Sequence, residues 1–343
     1  MCYPAMPPAN PAAIKSALKQ HAARLGFEAC GVSRAVRLDD EARRLDAWLL
    51  EGRHASMNWM TGHYEKRIDP RRLVHGARSV ISVLHTYYQE EASPPSDPAL
   101  GRISRYAVGE DYHIVVKDRL YELFECLREE AGPVEGRAFT DSAPVMDKAW
   151  AQRSGLGWIG KHTNLLRRES GSWFFIGELI VDLDLPPDDP ATDYCGSCTR
   201  CLDACPTQAI YRPYAVDANR CISYTTIEHR GDDIPSDIAA GHDNWIFGCD
   251  ICQEVCPWNK FRKETRESRY TVRPGTTTTP LDEWEELDLE TFRERFRYSP
   301  VKRAKLDGFK RNVRIAQANR ERPSTSGPDD RRPPPPPLSA DGQ

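Results

Sequence analysis

The chain has no apolar run approaching the ~18 residues that suggest a membrane span. Its longest apolar stretches, such as Val80–Leu84 and Trp173–Ile176, are strand-sized. The N-terminus, Met1-Cys2-Tyr3-Pro4 onward, has neither the charged region nor the hydrophobic segment of a secretory signal, which predicts a cytoplasmic protein. Net charge is scarce as well: 47 basic against 51 acidic side chains in 343 residues leave −4. No overall field points to a partner, although local patches can still bind polyanions. Hydrophobic content of 39% and charge of 29% are ordinary for a globular protein and exclude collagen-like and wholly disordered readings. The length allows two or three domains and a sizeable core. Cysteine is what the chain does not lack. It has 11, and in a reducing compartment these are not expected as disulfides.

Three cysteines are scattered, Cys2, Cys30 and Cys126, and read as a tail residue and two buried small hydrophobes. The other eight lie between residues 195 and 256. Cys195, Cys198, Cys201 and Cys205-Pro206 have the bacterial ferredoxin spacing, Cys-x2-Cys-x2-Cys-x3-Cys-Pro. Cys249, Cys252 and Cys256-Pro257 repeat the last three positions, and Cys221 supplies the missing ligand from across an insertion. In that pattern the fourth cysteine ligates the other cluster. Two [4Fe–4S] clusters follow, one on Cys195, Cys198, Cys201 and Cys256, the other on Cys205, Cys221, Cys249 and Cys252. Zinc is the alternative for Cys-x2-Cys pairs, but a four-cysteine run and two Cys-Pro endings favour the clusters.

Periodicity predicts a helix over 14–25 stopped by Gly26, a strand over 27–32, a helix over 41–50 and a strand over 80–87. The clearest helix is 113–130, where Val116, Leu120, Leu123, Phe124 and Leu127 recur at helical spacing before Gly132-Pro133. A short strand at 138–140 leads through Asp141-Ser142-Ala143-Pro144 into a helix ending near Ser154. Strands over 164–168 and 173–183 are predicted to form a hairpin across Glu169-Ser170-Gly171. Strands alternating with helices up to about residue 185 imply α/β layers.

Gly155-Leu-Gly157-Trp-Ile-Gly160 formally matches a dinucleotide fingerprint. That fingerprint needs a strand before it and a helix after it, so that the helix dipole faces a pyrophosphate. Here a helix precedes and a strand follows, so the glycines read as a helix-terminating turn with close backbone packing. Asp111-Tyr-His113 opens like a cobalamin-binding Asp-x-His-x-x-Gly signature, but Val116 stands where glycine is needed.

Arg102-Ile-Ser-Arg-Tyr106-Ala, Asp111-Tyr-His113, Asp141-Ser-Ala-Pro144, Gly155 to Asn164, Gly171 to Glu178, Cys221 to Glu228, Cys256-Pro-Trp-Asn259 and both cysteine groups together resemble the epoxyqueuosine reductases. The resemblance covers roughly residues 14 to 320. It implies an α/β (α+β) cobalamin-binding catalytic domain over 12–185, a ferredoxin-like two-[4Fe–4S] domain over 186–262 and a short, partly basic helical region over 263–320. Residues 1–11 and 321–343, the latter with Pro333 to Pro337, are expected to be disordered. The activity implied is reduction of epoxyqueuosine to queuosine at the wobble position of the Asp, Asn, His and Tyr tRNAs. Cob(II)alamin and the two clusters are the cofactors implied, fed by an external low-potential electron donor. A monomer with no membrane partner is expected.

The resemblance also places Asp141 as the proton donor to the alkoxide of the opening epoxide. A carboxyl in an apolar, cofactor-covered pocket stays protonated near neutrality; the alternative is a cap on the following helix. For cobalamin the candidates are Arg67, Ser104, Tyr106, Leu165, Ile176 and Ser223 together with Asp141, with no protein histidine on cobalt. His162 departs from the asparagine expected at its position.

Residues 260–273 carry six basic and two acidic side chains, and 302–322 carry eight and two. They suggest a tRNA footprint in which Lys260, Arg262, Lys263, Lys302, Arg303, Lys310, Arg311 and Arg314 contact phosphates. A solvated charged face is the plainer reading of either segment. Rival functions are a ferredoxin-type electron carrier, a reductive dehalogenase-like reductase of a small molecule, and an RNA-binding module with structural clusters.

Overall fold

The computed structural model describes residues 10–321; the expectations for Cys2 and the proline-rich tail lie outside them. The first helix, Pro11–Arg24, begins before its apolar periodicity does. Asn10 caps it, its side chain accepting from Ala12 N at 3.0 Å, and Pro11 occupies a first-turn position where no N–H is needed.

Eight strands run through the described residues: β1 (Ala29–Arg34), β2 (Ser79–Thr86), β3 (Arg102–Ile103), β4 (Gly136–Phe139), β5 (Trp158–Ile159), β6 (Leu165–Leu166), β7 (Phe174–Val181) and β8 (Trp245–Phe247). The main sheet has the order β1-β2-β7-β4 and is antiparallel throughout. Helices cover both of its faces, as the strand–helix alternation implied, but without a parallel crossover. Side chains alternate between faces along each strand. Ile81, Val83, Phe175 and Leu179 pack against Leu18 and against Val116, Leu120 and Leu123 of the helix Tyr112–Ala131. Val80, Phe139 and Ile180 face Ala149 and Trp150 of the helix Asp147–Arg153. Burying each such side chain fully contributes about 1.5–3 kcal/mol.

The predicted hairpin is corrected. β6 pairs with β5, Trp158 opposite Leu166 and Ile159 opposite Leu165, whereas β7 enters the main sheet between β2 and β4. The bridge Arg167–Gly171 closes the expected turn, but no ladder between the two segments follows it. The cause lies at Gly157, where a Cβ would stand 2.0 Å from Leu166 O. Only glycine lets the two backbones approach so closely.

From residue 194 the chain forms loops and one-turn helices, Arg200–Asp203, Ile222–Ile227 and Ile251–Glu254. It is tied back to the N-terminal half by the parallel pairing of β3 with β8. Around that pair Ile103 and Phe247 share a core with Trp284, Phe292, Phe309 and Val313 of the C-terminal segment. Among the described residues no helix is long and apolar enough to cross a membrane.

Candidate active site

Asp141 lies in the turn after β4 with φ +46°, a left-handed backbone rare outside glycine, asparagine and aspartate. Such strain concentrates at functional sites. Tyr112, the first residue of its helix, donates its hydroxyl to Asp141 Oδ2. Its ring stacks on Phe175 with centroids 4.2 Å apart and planes 4° from parallel. Burial pushes the Tyr112 phenol far above its usual range, with the Asp141 charge adding to it, so it stays a donor. His113 Nε2 stands 3.9 Å from the same carboxylate oxygen, and its Nδ1 meets Asp111 Oδ1 at 2.7 Å. Asp111 is buried, and its other oxygen meets Lys302 Nζ at 3.2 Å. With 62% of its side chain exposed, Asp141 lacks the enclosure expected of it from the chain's own residues.

Asp141 and Tyr112 border a cavity of about 500 Å³ between the main sheet and the cysteine loops. Its wall includes Ser104, Tyr106, Leu165, Ile176 and Ser223 from the expected cobalamin set. Ser104 is already engaged, donating to Asp250 Oδ1, which also leaves Asp250 Oδ2 to accept from Arg105 N at 2.8 Å. Burial lifts Asp250 to about 6. Arg67 is the exception in that it does not line the cavity, although its buried Nε meets no acceptor. It is buried and donates Nη2 to Trp59 O at 3.2 Å, its guanidinium over the Trp59 ring.

Sequence reasoning missed Lys148, His162 as a cavity residue, and the carboxyl pair Asp147 and Glu178. Lys148 donates to Thr163 O at 2.9 Å and Asn164 Oδ1 at 3.1 Å from the cavity wall. Glu178 is fully buried and faces Asp147, and neither of its oxygens meets a hydrogen-bond donor. Two ionised carboxylates repel, so burial and mutual charge push Asp147 up to about 7 and Glu178 higher. No local spacing signals this pair, because Glu178 sits inside an apolar strand and meets Asp147 only through the tertiary fold.

The eight clustered cysteines line two cavities. Cys195, Cys198, Cys201 and Cys256 line one small cavity with Lys161, His162, Leu166 and Trp258. Cys205, Cys221, Cys249 and Cys252 line the larger cavity that Asp141 borders. Burial, reinforced by neighbouring thiols, pushes Cys201 and Cys256 up to about 11. Thiolates there are costly without a bound cation, which suits iron as the compensating charge. Ala209 N donates to Cys205 Sγ at 3.2 Å, as a ligand sulfur requires.

The larger cavity also suits an amide-fringed macrocycle. Its wall is apolar at Leu165, Phe174 and Ile176, while Asp147 Oδ1 and His162 Nε2 are buried there without partners. His162 Nδ1 accepts from Asn164 N at 3.1 Å, and burial lowers the ring to about 4, so a neutral ring carries its proton on Nε2. That nitrogen is therefore a donor and not a metal ligand.

The expected tRNA cations are scattered. Lys302 and Arg303 stand beside the site, Arg303 paired with Glu228 at 2.8 Å. Lys260 and Arg262 line a separate groove along the cysteine loops. Lys263 pairs with Glu28, Arg314 with Glu285, and Lys310 donates to Leu287 O. Arg311 is corrected. It is buried, donating to the carbonyls of Thr225 at 2.6 Å, His229 at 3.2 Å and Gly231 at 2.5 Å, so it holds the C-terminal helix and offers no charge to solvent.

Comparison with known proteins agrees with this geometry. Residues 194–259 match the 4Fe-4S double cluster binding domain, and residues 67–142 match the family described as epoxyqueuosine reductase QueG, DUF1730. An epoxyqueuosine reductase of Cellulophaga algicola is 51% identical over 296 residues, 86% of this chain and 95% of that one. That of Leadbetterella byssophila is 52% identical over 297 residues, 86% of this chain and 96% of its own. A crystal structure of epoxyqueuosine reductase with an epoxyqueuosine-modified tRNA-Tyr stem loop superposes with a TM-score of 0.84 at 29% identity, covering 91% of this chain and 82% of that one.

Proposed function

Because the chain belongs to the epoxyqueuosine reductase family, we propose that it reduces epoxyqueuosine to queuosine at the wobble position of tRNA, acting in the cytoplasm. The observation that carries this reading is the meeting of Asp141 and the second cysteine group at one cavity. Removing an epoxide oxygen to leave an alkene consumes two electrons and two protons, and side chains supply no electrons at low potential. When bound, two clusters and a reduced cobalamin deliver those electrons from an external donor.

The chain's own residues do the rest. Asp141 gives a proton to the oxygen on which charge develops. Tyr112 and His113 hold the Asp141 carboxyl toward the cavity. Cys195, Cys198, Cys201 and Cys256 hold the first cluster, and Cys205, Cys221, Cys249 and Cys252 the second, on the cavity side. Ser104, Tyr106, Leu165, Ile176 and Ser223 contact the cobalamin, and His162 donates to it without ligating cobalt. Lys302 and Arg303, held beside the site by Asp111 and Glu228, meet phosphates of an anticodon loop.

Nucleoside analysis of tRNA from a strain deleted for this chain tests the reading: epoxyqueuosine accumulates, and the wild-type sequence restores queuosine. Asp141→Asn keeps the left-handed turn that asparagine tolerates. It should retain iron and cobalamin while failing to restore queuosine. Queuosine restored by the variant removes Asp141 from its role; no accumulation on deletion removes the function.

A further inference from the structure

The glycine-rich block 155–161 is unsuited to a dinucleotide, and the proposed reaction leaves its two largest polar side chains without a task. Trp158 is 1% exposed, and its indole Nε1–H donates to Cys195 Sγ at 3.4 Å. Lys161 is 9% exposed, and its Nζ donates to Gly196 O at 2.6 Å and Cys198 O at 2.9 Å. Both side chains thus leave the β5–β6 hairpin and close on the loop carrying the first two cysteines of the first group. The partners of Lys161 are neutral carbonyls, so its buried charge has no counter-ion among them. A four-iron cluster on four thiolates is net negative and supplies one.

We propose that Trp158 and Lys161 set the reduction potential of the first cluster, holding it higher than the cysteines alone would. A hydrogen bond to a ligand sulfur and a nearby positive charge both stabilise the more negative, reduced state. The effect belongs at this cluster: the other cysteine group borders the cavity with Asp141, which leaves the first as the point where electrons from outside arrive. A raised potential keeps that entry cluster reducible. The hairpin can reach the loop because Gly157 lets β5 lie against β6.

The inference rests on the double-cluster reading and on the partition of the cysteines. Its test is a potentiometric titration of the iron-replete full chain followed by EPR, with iron counted in parallel. Trp158→Phe should keep about eight irons and lower one of two midpoints by the order of 59 mV, a tenfold change in a one-electron equilibrium. The other midpoint should stay, and Lys161→Gln should lower the same one. Full iron with neither midpoint moved, or with both moved together, overturns the proposal. If Trp158→Phe loses iron, pulsed EPR of the reduced, unsubstituted protein carrying indole-15N tryptophan decides. A 15N coupling to one cluster supports the hydrogen bond, and its absence overturns it. An unsubstituted chain holding only four irons would instead count against the double-cluster reading.

Discussion

Tyr112 does at the residue scale what a charge would do poorly. Its ring is clamped between Phe175 and His113, with centroids 4.2 and 4.1 Å away, so its hydroxyl is aimed before substrate arrives. A hydrogen bond to a charged group contributes about 1.5–3 kcal/mol, one to two decades in rate if it acts in the transition state. Tyr112→Phe keeps the stack and should therefore lower kcat by about 10- to 100-fold with the thermal midpoint unchanged; an unchanged kcat would show that Asp141 needs no such support. Arg311 and the pair Lys302 and Arg303 make the opposite contrast within one basic stretch. Arg311→Ala leaves three buried carbonyls unpaired and should cost about 2 kcal/mol or more, while tRNA affinity of the folded protein is unchanged. Alanine at both Lys302 and Arg303 should leave stability nearly unaltered, raise KM for tRNA and reduce the salt slope by about two. Binding loss on Arg311→Ala without loss of stability would reverse the assignment.

At the scale of elements, what was legible in the sequence was what is local. The helix Tyr112–Ala131 follows from its apolar period, and the two cysteine groups from spacings of two or three residues, with Cys221 added by the count of eight. What escaped is decided by contacts between distant segments. The strand over 164–168 has apolar residues that suit either neighbour, and its partner is chosen by the 2.0 Å approach at Gly157, which in the sequence is one glycine among many. Arg311 looks like any surface arginine because the carbonyls it donates to lie 80 or more positions earlier. Asp141 was read from the family motif, whereas Lys148 and Asp147 carry no mark of the cavity they line, nor Glu178 of the carboxyl it faces. The hairpin has its own test. Gly157→Ala places a methyl against Leu166 O, and the backbone must move; overpacking of this kind typically costs 1–3 kcal/mol. The variant should lose stability and loosen the first cluster, seen as faster iron release to a chelator, while the second cluster persists. Equal release of all the iron would show that the hairpin supports the whole domain and not one loop.

The whole molecule carries opposed buried titrations. Burial lowers His85, His162 and His242 to about 4, below their ordinary 6.5. Each therefore contributes stability that is present above 6.5 and lost as pH falls toward 4, because the unfolded chain takes up a proton that the folded chain refuses. Burial raises Asp147 to about 7, Asp250 to about 6 and Glu178 further. Their contribution has the reverse sign, present at low pH and lost as pH rises through those values. Between about 4.5 and 6 these refused and held protons oppose one another, each group acting with a slope of up to about 1.4 kcal/mol per pH unit. The opposition is read from the denaturant midpoints of variants of the iron-replete protein. Removing one side of the balance exposes the other. Relative to the unsubstituted chain, His85→Gln should gain stability as pH falls from 6 to 4.5, and Glu178→Gln should lose it. The pH dependence of the Glu178 difference should continue above pH 6, since its proton is held to higher pH, while that of the His85 difference should end above about 6.5. Two differences of the same sign would mean that the histidine and the carboxyl do not titrate against one another.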